Sequence, residues 1–419
     1  MKNTVNKTAA LMAAIMMLLS FAGCAAAYAS TEDLMKGITA SNIAEDPQAL
    51  IKGKTNAADF ALRLYKACYK EGENTLISPL SVLCALSMTA NGAEKDTLAQ
   101  MKAVLGMSRD ELNSFFLSYL KALRSAEGGT LRLANSIWFT DHDSFAVSKD
   151  FLQTNADYFG AELYKTKFDG SEAPKTAINN WVKDKTDGMI PQIIDRIPDN
   201  IIMYLINALC FDAEWQHIYR QTDVREGQFT CADGLKNTVE FMYSEEGMYL
   251  QTENATGFIK YYKDADYAFV ALLPAEGSSV SDVLSSLDGE GLQALLSSPE
   301  HCVVRAAVPK FECRYSAQLS EVLAAMGMPD AFDDSRADFS GIGRSSAGSI
   351  YISRVLHKTY ISVNEKGTRA GAATAVEMDT KGVSPIYIKQ VWLDRPFVYM
   401  LIDTAANMPF FIGVMEDLE

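Results

Sequence analysis

The stretch EKGTRAGAATAVEMDTKGVSP, residues 365–385, combines the Ala-, Gly- and Thr-rich composition of a flexible linker with the periodicity of a strand. Between Gly367 and Gly382, every charged side chain stands at an odd position. The even positions are uncharged and hold Thr368, Ala370, Ala372, Thr374, Val376, Met378 and Thr380. A period of two is typical of a strand that buries one face. The sequence therefore predicts that this segment can form a strand with its even row buried.

The length and charge of the chain indicate a globular protein with an acidic surface. It has 419 residues, of which 48% are hydrophobic, so it can bury a large core in one domain or two. The formal net charge is −15, and no basic patch stands out. Nucleic acid is therefore not an expected partner, because binding to phosphates needs clustered Lys and Arg.

Residues 1–23 have the features of an export signal. Two lysines precede an apolar run over residues 8–21 that is too short to cross a bilayer comfortably. The run ends in FAGC, which resembles the lipobox of bacterial lipoproteins and predicts that Cys24 becomes the lipidated first residue of the mature chain. Alternatively, an ordinary signal peptidase cleaves after the small-residue pair Ala27 and Ala29, which would release a secreted protein.

The rest of the chain is predicted to form one domain behind a short tether. Residues 24–50 are rich in Ala, Ser and Thr and predict the tether, and a folded domain is expected over residues 51–419. An acyl anchor at Cys24 would be the only membrane attachment and would hold this domain in the external aqueous phase. We therefore expect an exported bacterial protein that is either anchored at the cell surface or secreted.

No catalytic or metal-binding motif is apparent. The six cysteines that follow Cys24 have no CxxC spacing, and most stand among apolar residues. The GxSxG, HExxH and phosphate-binding glycine motifs do not occur. The four histidines are His142, His217, His301 and His357. We therefore expect a protein that is not an enzyme and that needs no metal or cofactor.

Helical and strand patterns both occur along the chain, which indicates an α+β fold. An amphipathic helical period begins at Asn56, and a second, apolar helix follows Ser78 and Pro79. The continuous apolar run YLINALCFDAEW, residues 204–215, is typical of a strand buried on both faces. The C-terminal 30 residues predict two strands around a turn at residues 405–407.

The order of these segments is similar to that of the serpin family, over nearly all of residues 50–419. NTLISPLSVLCALSMTANGA, INNWVKDKTDGMI, NALCFDAEW, VPKFE and GMPDAFDDSRADFSGI occur in the family's order. HKTYISVNEKGTRAGAATAV resembles the serpin hinge, and VWLDRPFVYML resembles the C-terminal signature. The resemblance implies an α+β serpin fold with three β-sheets and about nine helices. It also implies a metastable native state with an exposed reactive-centre loop at about residues 365–389.

The resemblance implies that the chain is a suicide-substrate inhibitor of serine proteases. In the family, a protease cleaves the exposed loop, and the N-terminal part of the loop then inserts into the main sheet and traps the acyl-enzyme. The even row would face the core, while the charged odd row would remain on the solvent side. The expected partner is one target protease, bound covalently to a monomer of this chain.

The resemblance also implies where the protease cuts. The spacing usual in inhibitory members, counted from the hinge glutamate Glu365, gives Lys381–Gly382 as the reactive bond. A lysine before the bond suits a trypsin-like protease. The alternative is a displaced bond, which would suit an elastase-like protease; the residues before it would then be Met378, Thr380 or Val383.

The family's moving parts match further positions of this sequence. The hinge residues are Glu365, Gly367, Thr368, Ala370, Ala372 and Ala373. The polar cluster called the shutter and the tryptophan of the breach, where insertion begins, match Ser78, Ser81, Asn207, His357 and Trp215. Without the family, Ser78 could be a helix cap, His357 a structural histidine and Trp215 a core residue. A non-inhibitory serpin that acts as a binding protein is the alternative function, although such members usually have bulky, charged or proline hinge residues.

Overall fold

The computed structural model describes residues 31–125, 131–141, 145–198, 201–345, 348–368 and 388–419. Most of the reactive-centre loop and the N-terminus lie outside these ranges. The predictions that concern them therefore have no structural counterpart, and they involve Cys24, Ala370, Ala372, Ala373, Met378, Thr380, Lys381, Gly382 and Val383.

Nine α-helices occur within the described ranges. They are α1 Pro47–Cys68, α2 Pro79–Ala90, α3 Lys95–Leu105, α4 Arg109–Ser125, α5 Lys149–Phe159, α6 Glu172–Lys185, α7 Val280–Ser286, α8 Gly289–Ser297 and α9 Ser320–Ala325. The number agrees with the resemblance. Local signals define their ends. For example, Gly106 ends α3 in the left-handed conformation, with φ 74°.

Nineteen strands occur within the described ranges. They are β1 Thr31–Asp33, β2 Thr75–Ile77, β3 Leu131–Thr140, β4 Ala146–Val147, β5 Glu162–Thr166, β6 Met203–Phe211, β7 Ala213–Glu214, β8 Val224–Thr230, β9 Lys236–Gln251, β10 Ala255–Tyr261, β11 Tyr267–Pro274, β12 Glu300–Pro309, β13 Phe311–Gln318, β14 Gly343–Arg344, β15 Arg354–Asn364, β16 Gly367–Thr368, β17 Ile388–Trp392, β18 Phe397–Asp403 and β19 Met408–Met415. The last two confirm the predicted C-terminal strands around residues 405–407.

The strands of the described ranges form three sheets, as predicted. The main sheet has the order β1-β5-β3-β6-β15-β16-β7, with β13 on the outer edge of β15. The second sheet has the order β17-β12-β9-β10-β11-β18-β19-β2, and β8 pairs with β9. The third sheet consists of β14 and β4. The fold is therefore the α+β arrangement that the sequence indicated.

Apolar side chains cover both faces of the main sheet. The large core lies on the face that carries Val355, Ile361 and Val363 of β15. A smaller cluster on the other face joins α6 to the sheet and includes Ile178 and Ile206. Helix α6 therefore covers part of the face that the sequence assigned to solvent.

The N-terminal segment is folded onto the domain from Thr31, which corrects the predicted tether over residues 24–50. Strand β1 pairs antiparallel with β5 and becomes an edge of the main sheet. Three partly buried apolar side chains that follow it pack against the core, namely Leu34, Met35 and Ile38. Because they are scattered among small and polar residues, the composition of the segment did not indicate that it packs against the core.

Further polar contacts hold the same segment. The side-chain amide of Gln153 donates to the carbonyl oxygen of Thr39 at 2.9 Å, and the backbone N–H of Ser41 donates to Asp157 at 2.6 Å. Asp46 caps the first helix. Helix α1 therefore begins at Pro47 rather than at Asn56, and the folded domain begins before residue 51. Among the described residues, no helix has both the length and the apolar character needed to span a membrane.

Candidate functional site: the opening in the main sheet

Two neighbouring strands of the main sheet separate along part of their length. Strands β6 and β15 pair in parallel only where Arg354–His357 faces Tyr204–Asn207. Beyond this point, β15 and the continuation of β6 diverge, and strand β16 lies between β15 and β7. No other strand of the described ranges lies in the gap between residues 358–362 and residues 208–212. The sheet therefore has an opening between β6 and β15, and β16 occupies the end of it that lies beside β7.

The residues in the opening are the hinge residues Gly367 and Thr368. A two-residue turn leads from β15 into β16, so that Asn364 pairs with Gly367 and Val363 with Thr368. On its other side, β16 pairs with Ala213 and Glu214. Gly367 is required by this close approach, because a Cβ atom there would lie 2.0 Å from the carbonyl oxygen of Ala213.

Thr368 faces the core, on the side that the parity of the sequence predicts. Its side chain is 1% exposed, and its hydroxyl oxygen lies 2.5 Å from that of Tyr262. Burial raises the pKa of Tyr262 well above its ordinary value, so the phenol stays protonated and can donate this bond. The core-facing residues of β15 alternate in the same way: they are Val355, His357, Thr359, Ile361 and Val363.

Trp215 and Tyr219 hold the turn that precedes Gly367. The indole N–H of Trp215 donates to the carbonyl of Asn364 at 2.8 Å. The backbone N–H groups of Trp215 and Tyr219 donate to the carbonyls of Lys366 and Glu365, each at 2.9 Å. Three consecutive carbonyls of the hinge are thus bound by two residues. Trp215, which the resemblance assigns to the breach, therefore contacts the turn that leads into β16.

Glu365 contacts a cation at the edge of the opening. Its carboxylate lies 3.0 Å from the ammonium group of Lys310, which also lies 3.2 Å from Glu240. A hydrogen bond to its own backbone lowers the pKa of Glu365, and the contact with Lys310 lowers it further. The side chains are partly exposed, so this ion pair contributes orientation more than stability.

The shutter residues lie where β6 and β15 still pair. Asn207 and His357 face each other in register, and the imidazole Nδ1 of His357 lies 2.8 Å from the side-chain oxygen of Asn207. Its Nε2 accepts the backbone N–H of Ser78 at 3.0 Å. The hydroxyl of Ser81 donates to the carbonyl of Ser78 at 3.0 Å. The four predicted shutter residues therefore form one buried cluster that joins the two strands to the start of α2.

His357 is an uncharged member of this cluster. Burial lowers its pKa to about 3, so the ring is neutral near pH 7. Because Nε2 accepts from Ser78, Nδ1 carries the proton and donates to Asn207. Both ring nitrogens are engaged. His357 is therefore a buried, neutral residue that joins Ser78 to Asn207 within the polar cluster.

Two polar atoms of the cluster have no hydrogen-bond partner among the described residues. They are the side-chain nitrogen of Asn207 and the hydroxyl oxygen of Ser78. Although Ser78 precedes α2, its side chain makes no capping bond. Unpaired buried donors of this kind cost free energy. Additional hydrogen-bonding groups could therefore bind here if the two strands parted.

The sequence did not indicate Lys260, Glu246, Tyr219 or Tyr262 as parts of the site. Lys260 is 2% exposed and forms an ion pair with Glu246 at 2.8 Å beside Trp215. A single lysine within the apolar strand GFIKYY was the available signal, because a lysine is rarely buried without a partner. Its partner lies on a different strand, and strand order is not visible in the sequence.

This sheet with a partly filled opening can be compared with known proteins. The profile of the family described as Serpin (serine protease inhibitor) matches residues 55–418. The chain belongs to the serpin family. Among curated relatives, Serpin B10 of Bos taurus is 29% identical over 392 residues, which cover 85% of this chain and 96% of the relative. An uncharacterized serpin-like protein of Thermococcus kodakarensis is also 29% identical, with 85% and 83% covered.

Solved structures of serpins share the fold. Tengpin, a thermophilic serpin, is 44% identical to this chain in both of its solved states. The TM-score is 0.86 for its native state, with 93% of this chain and all of tengpin covered, and 0.77 for its latent state, with 91% and all covered. The described part of this chain is thus more similar to the native state of tengpin than to the latent one.

Proposed function

We propose that this serpin is a suicide-substrate inhibitor of serine proteases that works by inserting its cleaved loop into the main sheet. The observation that carries the proposal is the position of Gly367 and Thr368, which already lie between β15 and β7. The next residues of the loop can follow without a change of direction, because β16 runs antiparallel to both neighbours. The strand that the sequence pattern predicts therefore has an open place in the sheet.

Continuation of this register predicts the neighbour of every inserted residue. Each further residue moves one position back along β15 and β6, so Ala370 would lie beside Ile361, and Thr374 would lie between His357 and Asn207. The bond between His357 and Asn207 must then separate. The unpaired nitrogen of Asn207 and a threonine hydroxyl would meet at the same point. Thr374 thus suits the polar position that it would reach.

The same register explains the small residues of the odd row. Helix α6 covers the outer face of the sheet near Ile206 and Ala208. The inserted odd residues beside them would be Ala375 and Ala373, which are small enough to pass beneath a helix. Glu377 would lie beside Arg354, at the start of β15, where β6 and β15 now pair and would have to separate. Helix α6, rather than solvent alone, therefore requires alanine at these two positions.

Insertion can trap the protease at one chemical step. The serine oxygen of the protease attacks the carbonyl carbon of the residue before the reactive bond, and the C–N bond breaks as the protonated amine leaves. The protease is then held as an ester that water must hydrolyse. About ten inserted residues at roughly 3.3 Å each would move this ester by more than about 30 Å. Such displacement can distort the aligned groups that deacylation needs.

The proposed target is a trypsin-like protease that cleaves Lys381–Gly382. Strands β6 and β15 begin at Met203 and Arg354, and the register reaches these positions at about residues 377–378. A bond at Lys381 therefore leaves a segment long enough to fill the whole gap. The displaced bonds after Met378, Thr380 or Val383 also lie at or beyond this point, and they would suit an elastase-like protease.

We expect a covalent complex with the target protease. The purified protein is mixed with trypsin-like and elastase-like serine proteases, and the products are analysed by denaturing electrophoresis after boiling in SDS. An inhibitor gives a band at the summed mass less that of the C-terminal peptide, since the ester survives denaturation while the peptide beyond the cleaved bond separates. A matched protease in which the nucleophilic serine is replaced by alanine should give no such band.

The released C-terminal peptide identifies the bond by mass spectrometry. A peptide that begins at Gly382 supports the trypsin-like proposal, whereas one that begins at Asp379, Lys381 or Ser384 assigns the displaced bond. Cleavage of the loop by both protease classes without any stable complex would contradict inhibition. It would favour the alternative, a non-inhibitory serpin that acts as a binding protein.

We also propose that the chain is an exported bacterial lipoprotein, anchored at Cys24 and acting as a monomer. The lipobox-like FAGC and the apolar segment before it support this localisation. Since the folded domain begins by Thr31, at most seven residues would separate it from the acyl chain. Expression in a bacterium with a radiolabelled fatty acid should label the protein, and Cys24→Ala should abolish the label. Equal labelling of both would exclude lipidation at Cys24.

A further inference from the structure

The two residues that bind the hinge, Trp215 and Tyr219, both contact the same buried cation. Trp215 and Tyr219 bind the carbonyls of Asn364, Glu365 and Lys366, as described above. The rings of Trp215 and Tyr219 lie on the ammonium group of a single lysine, at 5.3 Å and 4.5 Å from the ring centroids. Cations attract aromatic faces most strongly where water is excluded. The lysine between the rings is Lys260.

The charge of Lys260 is balanced within the same cluster. Its ammonium group lies 2.8 Å from the carboxylate of Glu246, and the two side chains are 3% and 11% exposed. Although burial alone would lower the pKa of Lys260, the neighbouring Glu246 raises it above its ordinary value, so the lysine stays charged. Ser244 donates to Glu246 at 2.6 Å and lies 3.3 Å from the hydroxyl of Tyr219. Tyr219 is therefore connected to the ion pair twice.

A second contact leads from the residue that follows β10 to Thr368. Tyr262 lies two positions beyond Lys260 and stacks on Trp215, with ring centroids 4.4 Å apart. Its hydroxyl contacts Thr368. The aromatic stack thus fixes both the turn before Gly367 and the first core-facing residue after it. Among the described residues, no hydrogen bond or ion pair joins Lys260 or Glu246 to Glu365, Gly367 or Thr368.

We infer that Lys260 and Glu246 are positioning residues for insertion: their ion pair fixes Trp215 and Tyr219 in the geometry that holds the hinge ready in the sheet. The positioning of the hinge by this ion pair does not depend on the proposed function. Only its effect on protease inhibition rests on that function. A hinge that is held in place lets insertion follow cleavage at once. A loosened hinge would delay insertion, and more acyl-enzyme would be hydrolysed before it is trapped.

The test uses the double variant Lys260→Met/Glu246→Leu of the full chain. Removal of both charges avoids a buried unpaired ion, which the single variant Lys260→Met would leave. The matched control is Arg305→Met/Glu245→Leu. This pair also includes a glutamate of β9, but it is exposed, and its closest atoms are 3.7 Å apart. Both double variants should retain the fold, and only the first should alter the hinge.

Hydrogen exchange of the backbone amides of Trp215 and Tyr219 measures the hinge directly. We expect at least about tenfold faster exchange of these two amides in the Lys260→Met/Glu246→Leu variant, with little change in the control. Unchanged protection would overturn the inference, whether or not any protease is inhibited. Faster exchange in a protein whose wild type traps no protease would support the positioning role and contradict only the proposed function.

The inhibitory consequence is measured as the number of serpin molecules consumed for each protease trapped. This number should rise several-fold in the Lys260→Met/Glu246→Leu variant, while the initial rate of protease binding stays near that of the wild type. A purely structural role would lower the melting temperature without changing this ratio. An unchanged ratio together with a loosened hinge would contradict the effect on insertion.

Discussion

Cleavage of the loop near Lys381 should raise the melting temperature of this serpin by at least about 10 °C. The opening between β6 and β15 leaves the facing edges of residues 358–362 and 208–212 without a strand in the described part of the chain. About ten inserted residues add on the order of a dozen backbone hydrogen bonds, worth roughly 10 kcal/mol in total. For a domain of this size, about 0.8 kcal/mol corresponds to one degree.

The measurement compares intact and cleaved protein by calorimetry at one scan rate. A common scan rate is needed because the unfolding of large domains is often irreversible. A gain of about 10 kcal/mol is comparable with the whole free energy of unfolding of a typical protein, which is why the intact form is expected to be metastable. Equal melting temperatures for the two forms would exclude insertion and, with it, the proposed mechanism.

Thr368→Arg should convert the inhibitor into a substrate. Thr368 is 1% exposed between Val363 and Ala213 and touches Tyr262, so an arginine there would bury a charge without a partner. The cost of burying an unpaired charge is large enough to expel the segment from the sheet. We expect the protease to cleave the variant at the usual rate, with the SDS-stable band almost lost and no rise in melting temperature after cleavage.

Thr368→Val is the matched control for that variant. Valine has a similar shape and no charge, and it removes only the hydroxyl contact with Tyr262. It should remain an inhibitor with a modest loss of stability, because one buried hydrogen bond is worth roughly 1 kcal/mol. Retained trapping by Thr368→Arg would show that the even row does not enter the core, and the register derived from β16 would then be wrong.

Much of the site could be predicted from the sequence because its signals are local. The alternation after Gly367 is a property of consecutive residues, and it predicted correctly that Thr368 faces the core. The matching motifs also identified Asn207 and His357, which the structure brings together. By contrast, the composition of the N-terminal segment predicts a tether, because its few apolar residues form no periodic pattern. The segment is held instead by pairing with β5, which is distant in the sequence.

By itself, the sequence determined that the segment after Gly367 has the pattern of a strand, in which small residues come first and all charged residues lie on one face. Only the tertiary structure provides the opening that we propose for this strand, the register that would bring Thr374 between His357 and Asn207, and the contacts from which we infer the role of Lys260. The reason is physical. Periodicity depends on neighbours along the chain, whereas register, burial and ion pairing depend on strands that are distant in sequence, such as those of Asn207 and His357.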